Sequence, residues 1–485
     1  MSSKETLKIS SIKSNYIFNT VRTVLNFLTP LLIFPYTSRV LGPEGLGRVE
    51  FANSVVSYFV LFTAWGIPTY GIREIARTRD SLQERSKTVW ELSIILACTV
   101  VLGYITYFIT ISAVPIFREQ LLLFFIICPT IFLSDFSYEW FYVGIEDQKY
   151  ITQRYIVTKV LQIGLVFLCI KEQSHFYRYA AIMIGLNGIS TVFNISRLRK
   201  YICRVHLKDL HPIRHIKPVL IIFTSVVAVN VYTQLDITMV GLFAGDRSVG
   251  LYTAANKVVR IVIQLVTSLG AVMVPRIENS LKKGDLENYR MNLWVSLRFV
   301  FMIGLPSVVG IELLAEHIIS LFAGSEYLEA VISIRLLAPI ILIVGLAYFA
   351  GFQVLYPNRR ESVYTLAVTV SALVNGVFNY FMIQIYGHNG AIMGTVVAET
   401  TGFVIMGIVG RRYIKDSQAL GLDLVKYCVA SVIMGAVILL IKPILAGLNE
   451  YLSLGICVGI GVVVYFLSLL LLKDKCVGLV VKRKI

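Results

Sequence analysis

Charged residues are scarce in this chain, and their scarcity excludes most of what a protein of its length could be. Only 15% of the 485 residues are Asp, Glu, Lys or Arg, against about 25% in an ordinary soluble domain. Hydrophobic residues make up 56% and the mean hydropathy is +0.74, which rules out a water-soluble fold. Signatures of catalysis are missing too. No Gly-Lys dipeptide occurs, so there is no phosphate-binding loop of an ATPase, and there is no HExxH, no Cys/His spacing for a metal and no GxSxG. The chain therefore reads as neither an enzyme nor a metalloprotein, with no cofactor beyond a coupling proton or sodium ion. Cysteines are few (98, 128, 169, 203, 428, 457 and 476). Their odd number and the lack of a CxxC argue against a disulfide framework and for small apolar packing residues. The first 14 residues are too long and polar for the basic region of a signal peptide, so the first apolar run is expected to stay in the mature protein.

What is present is a succession of apolar runs. They fall near 15–38, 49–70, 89–111, 120–142, 154–171, 177–196, 217–243, 250–275, 292–314, 329–352, 363–385, 391–410, 425–446 and 454–472. A run of about 20 residues crosses about 30 Å of hydrocarbon as a helix, and only helices or closed barrels satisfy the backbone in lipid. The fold class is therefore all-α and polytopic, with about 14 transmembrane helices (spans 1 to 14) and almost nothing outside the bilayer. With the N-terminus inside, cytoplasmic segments hold 32 of the 45 Lys and Arg, the opposite side 7 and the spans 6. That bias sets both termini in the cytoplasm. The net charge of +16 is then topogenic charge beside an anionic leaflet. Nucleic-acid binding is not expected, because the basic residues are scattered and form no groove-reading motif.

An internal repeat divides the chain. Residues 45–56 (GLGRVEFANSVV) align with 248–259 (SVGLYTAANKVV) at a shift of 203, and Gly42 falls on Gly245. The first segment enters span 2 and the second enters span 8. This predicts a six-helix lobe in 1–200, a second in 201–415, and two added helices with a basic tail in 416–485. Two like-oriented bundles with a site at their interface are a recurring transporter plan.

Ionisable residues inside spans are expensive and point to a cavity or a partner. Span 1 carries Asn15, Asn19, Arg22, Asn26 and Thr29 on one helical face, and span 8 carries Thr253, Lys257, Arg260, Gln264 and Thr267 at the same 4-3-4-3 spacing. Span 7 adds Ser225, Tyr232 and Asp236, and span 2 adds Glu50, Ser54 and Ser57. Spans 1, 2, 7 and 8 are thus expected to aim polar faces at one shared cavity. Interhelical hydrogen bonding is the competing explanation; it suits the hydroxyls better than the three cations Arg22, Lys257 and Arg260. Asp236 is expected to pair with Lys257 and to leave Arg260 free. Lys159, Arg298 and Arg335 can snorkel to span ends. Asp135 and Glu139, one turn apart in span 4, read as a proton relay or as partners of Lys159. Glu399 is a further proton-site candidate, and Gly455 with Gly459 reads as a GxxxG packing contact.

Five stretches, in order, are RVLGPEGLGRVEFANS (39–54), GIPTYGIREIAR (66–77), EWFYVGIEDQKYITQR (139–154), GLYTAANKVVRI (250–261) and NGVFNYFMIQIYGHNGAIMGTVVAE (375–399). They resemble the polysaccharide-repeat-unit flippases (the Wzx type) of the multidrug/oligosaccharidyl-lipid/polysaccharide exporter superfamily. The resemblance implies two six-helix lobes around a cavity lined by spans 1, 2, 7 and 8, in a bacterial inner membrane. It implies flipping of an undecaprenyl-pyrophosphate-linked oligosaccharide from the cytoplasmic to the periplasmic leaflet by alternating access, for O-antigen or a similar surface polysaccharide. A polysaccharide polymerase complex is an implied partner. Arg22, Lys257 and Arg260 would meet the pyrophosphate, since guanidinium groups bind phosphate oxygens bidentately, with Asn26 and Gln264 as hydrogen-bonding partners. Asp236, Glu399, Asp135 and Glu139 remain for ion coupling. Rival readings are a cation-coupled multidrug antiporter of the same superfamily, a lipid II flippase, a membrane polysaccharide polymerase or ligase, and a scaffold. The antiporter would want carboxylates rather than cations in its cavity, and the polymerase a larger outer loop.

Overall fold

The computed structural model describes residues 12–414, 418–445 and 447–474. The terminal segments with their basic residues, Cys476, and the side chains of Ser225 and Tyr232 lie outside the described residues. Every regular element among the described residues is helical. Twelve of these helices are long and apolar enough to cross a membrane, as the apolar runs predict. Two of the twelve carry two expected spans each. Helix Ile12–Ala64 is broken at Gly42 (φ 67°, ψ 175°), and helix Ile213–Lys282 at Gly245 (φ 79°, ψ 175°). That conformation is essentially open to glycine alone. The two glycines are the ones that the shift of 203 superposes, so the repeat holds in backbone torsions as well as in letters. Pro43 follows the first break, where its fixed φ suits a helix start.

The chain forms two compact units, Met1–Leu242 and Phe243–Ile485. The division falls inside helix Ile213–Lys282, so most of span 7 groups with the first unit. Its contacts explain why. Thr238 donates to Ser54 Oγ at 2.9 Å, and Gly241 lies flat against the Phe51 ring, where a Cβ would collide.

Within the first unit, two of the motif stretches interlock. A Cβ on Gly71 would lie 2.5 Å from Trp140, and one on Gly144 would lie 2.8 Å from Ile75. Helix Ile67–Thr78 and helix Glu139–Gly144 therefore cross glycine to side chain in both directions, with Tyr70, Trp140 and Phe141 in the core beneath. Span 4 is not one helix. It runs as Leu121–Ile127, Pro129–Asp135 and Glu139–Gly144, and Tyr138 at its last break is left-handed (φ 50°). Buried hydrogen bonding holds that residue, whose hydroxyl lies 2.9 Å from Ser93 Oγ.

In the second unit, helices Glu361–Tyr386 and His388–Gly410 pack so closely that Gly390 and Gly394 admit no Cβ. Buried Asn375 and Asn379 line that seam. Helix Leu286–Phe322 has 37 residues, about 55 Å at 1.5 Å per residue, so it outruns the hydrocarbon and projects beyond it. Two expectations are corrected here. A Cβ on Gly455 or Gly459 would meet nothing within 4 Å, whereas one on Gly461 would lie 3.2 Å from Ile438. Gly461, not the GxxxG pair, is the close approach, because 455 and 459 face away from the neighbouring helix. Arg298 does not snorkel; its Nη2 lies 2.6 Å from Asp423 Oδ2, with both side chains nearly buried. A carboxylate at the start of the facing helix compensates the charge where it stands. The six described cysteines are free.

Candidate functional site

The polar stripe of span 1 runs from exposed (Asn19, Asn26) through half-buried (Asn15, Arg22) to buried (Thr29), and helix Gln148–Cys169 lies alongside it. Thr152 donates to the Phe18 carbonyl at 3.0 Å, and the Tyr155 hydroxyl donates to Asn26 Oδ1. Arg22 sits between these contacts. Its Nη1 is 2.9 Å from Glu139 Oε1, and its Nη2 donates to Asn19 Oδ1 at 3.4 Å. The other oxygen of Glu139, Oε2, takes Arg154 Nη2 at 3.0 Å. One carboxylate thus bridges two guanidinium groups and leaves the trio with a net charge of +1. Exposure falls from 43% for the Glu139 side chain to 22% for Arg22 and 8% for Arg154.

This arrangement corrects two readings of span 4. Asp135 and Glu139 are not stacked on one helical turn, because the left-handed Tyr138 separates their helices. Nor is Lys159 the partner of Glu139. The Lys159 ammonium donates to Gln162 Oε1 at 2.8 Å and lies over the Tyr155 ring, one turn too far along its helix. Asp135 is buried, and its Oδ2 has no hydrogen-bond partner among the described residues.

Asp236 is also buried in the first unit. In the second unit, Arg260 Nε donates to Asn256 Oδ1, 3.3 Å away and one turn back. Asn256 is the repeat mate of Asn53, whose carbonyl accepts from Ser57 one turn on. The equivalent positions 57 and 260 thus both reach back one turn, the hydroxyl to a backbone carbonyl and the guanidinium to a side-chain amide oxygen. Lys257 is half-buried, Gln264 exposed and Glu399 half-buried. Asp236, Lys257 and Glu399 all have interacting neighbours.

Sequence reasoning passed over a second charge centre. Glu91, in helix Leu82–Ala113, is 1% exposed. It accepts from His211 N–H (2.7 Å), Arg214 Nε (3.0 Å) and Nη2 (2.6 Å), and His215 Nε2 (2.8 Å). The carboxylate can only accept, so Nε2 carries a proton. His215 Nδ1 faces the Tyr70 hydroxyl at 2.7 Å. An acid at the head of an apolar run was the available signal for Glu91; its partners lie 120 or more residues away.

Comparison with known proteins agrees with this architecture. The pattern of the "Polysaccharide biosynthesis protein" family matches residues 12–281, and that of the MatE family matches 221–381. The chain is 23% identical over 394 residues to "Putative O-antigen transporter" of Escherichia coli (strain K12), covering 80% of this chain and 94% of that protein. It is 22% identical to "Probable low-salt glycan biosynthesis flippase Agl15" of Haloferax volcanii, over 48% of this chain and 49% of that one. Among solved structures, "Lipid II flippase MurJ, inward closed conformation" superposes with a TM-score of 0.74 over 95% of this chain and 99% of its own, at 17% identity. That likeness speaks for the fold. With more than half its length matched by the family pattern, the chain belongs to the polysaccharide biosynthesis protein family.

Proposed function

We propose that this protein is a flippase for a lipid-linked oligosaccharide, a repeat unit carried on undecaprenyl pyrophosphate, and that it moves the head group from the cytoplasmic to the periplasmic leaflet of a bacterial inner membrane. The family match over residues 12–281 carries the reading, and the named O-antigen transporter and glycan flippase among its relatives support it. The protein works as a transporter and not as an enzyme, opening in turn to each leaflet across fourteen crossings, with both termini cytoplasmic. Arg22, Lys257 and Arg260 meet the pyrophosphate, because a phosphoanion entering a low-dielectric region needs counter-charge. Asn26 and Gln264 bond to phosphate or sugar. Coupling to a proton or sodium gradient through Asp236, Asp135 or Glu399, and hand-over to a polymerase complex, belong to the same proposal.

The test is flipping of an undecaprenyl-pyrophosphate oligosaccharide in proteoliposomes, comparing wild type with Arg260→Ala. Transfer by the wild type and its loss in a folded Arg260→Ala protein is the expected result. The MatE match over 221–381 favours a second reading, a cation-coupled drug antiporter. Drug efflux without oligosaccharide transfer would establish it.

A further inference from the structure

The bridged trio Arg22–Glu139–Arg154 has features that simple helix-to-helix attachment does not need. The innermost member, Arg154, is nine-tenths buried, yet its Nε has no hydrogen-bond partner among the described residues. A buried guanidinium donor left unmatched costs about 1–3 kcal/mol. The outermost member is the carboxylate, whose side chain is 43% exposed. Its backbone, in contrast, is fixed: left-handed Tyr138 precedes it with its hydroxyl tied to Ser93, and Trp140 follows it, seated on Gly71. Glu139 can therefore leave the two arginines by rotating its side chain alone.

Building on the flippase reading, we propose that Arg22 and Arg154 form a subsite for the diphosphate of the head group, and that Glu139 is an internal stand-in for that phosphate. Each guanidinium is met by a separate carboxylate oxygen, at 2.9 and 3.0 Å, a geometry that two oxygens of a phosphate reproduce with charge-assisted bonds. A diphosphate brings more negative charge than one carboxylate and more acceptors, including one for the spare Arg154 Nε. It displaces Glu139 on binding. Once the head group departs, Glu139 returns. Two uncompensated guanidinium groups in a poorly solvated region would cost several kcal/mol each, so the stand-in is what lets the empty protein complete its cycle.

The experiment uses the full-length protein in nanodiscs, with farnesyl diphosphate, farnesyl monophosphate and inorganic pyrophosphate as probes, alongside flipping in proteoliposomes. Glu139→Gln removes the competing charge and should bind farnesyl diphosphate about tenfold tighter, the scale of one charge-assisted hydrogen bond, while flipping more slowly because nothing evicts the head group. Arg154→Gln should bind about tenfold more weakly. Glu139→Asp, which keeps the charge but is too short to bridge both arginines, should fall between wild type and Glu139→Gln. Unchanged or weaker binding in both Glu139 variants would show that the carboxylate only holds helices together, and would overturn the proposal. Binding of inorganic pyrophosphate as tight as that of farnesyl diphosphate would overturn it too, in favour of a site for a free phosphoanion. A wild type that binds and flips normally, with variants indistinguishable from it, sinks the subsite alone. A wild type that does neither sinks the flippase reading itself.

Discussion

Glu91→Ala removes the acceptor of four hydrogen bonds, and the donors differ in what they can do next. The Arg214 side chain is 48% exposed and recovers water, so its share is that of a surface pair, about 0.5 kcal/mol. The part-buried His211 N–H loses its acceptor at about 1 kcal/mol, and the His215 imidazole, 4% exposed, at about 2 kcal/mol. The expected destabilisation is about 3–4 kcal/mol, within the range for breaking a buried charged contact. It would be measured by reversible unfolding in mixed micelles of a denaturing detergent. Glu91→Gln keeps one carbonyl oxygen and sets an NH2 group, itself a donor, in the place of the other, so it keeps an acceptor for only one of His211 and His215 and should lose about 2 kcal/mol, less than Glu91→Ala. Equal losses in the two variants would mean that charge, and not stranded buried donors, governs the site. A loss below about 1 kcal/mol in Glu91→Ala would remove the reasoning altogether.

Gly245→Ala isolates a torsion, because a Cβ there would touch nothing within 4 Å; the same unfolding titration should show a loss of about 1–3 kcal/mol, and one below about 0.5 kcal/mol would mean the bend tolerates other residues. Asp423→Asn, which leaves Arg298 buried against a neutral group, should cost about 3–5 kcal/mol, whereas Arg298→Met/Asp423→Leu should come close to wild type. A double variant as unstable as the single one would refute the view that this pair is compensated charge rather than net stabilisation.

The positions of the apolar helices were readable from the sequence, because the thickness of hydrocarbon is written directly into run length. Gly42 and Gly245 were readable as a pair for a related reason: only one residue type accepts their torsions. The break in span 4 was not. Tyr138 is held left-handed by Ser93, 45 residues away, and no local propensity announces a tyrosine in that conformation. The same limit hid the partners of Glu139, one of which is 117 residues distant. A helical-wheel argument places Arg22 on the polar face of span 1 but is silent on which helix meets that face. Charge pairs across a bundle are set by tertiary packing, and spacing along one helix does not encode them.

The matched bends at residues 42 and 245 also bear on how such a chain can be compared with distant kin. At 17–23% identity, letters agree too seldom to fix a register along a helix, where a slip of one turn restores a similar apolar pattern. A backbone angle that admits a single amino acid does not slip. The two glycines serve as surveyor's marks 203 positions apart: anchored on them, the two halves of this chain can be laid on one another, and their charges compared bend by bend.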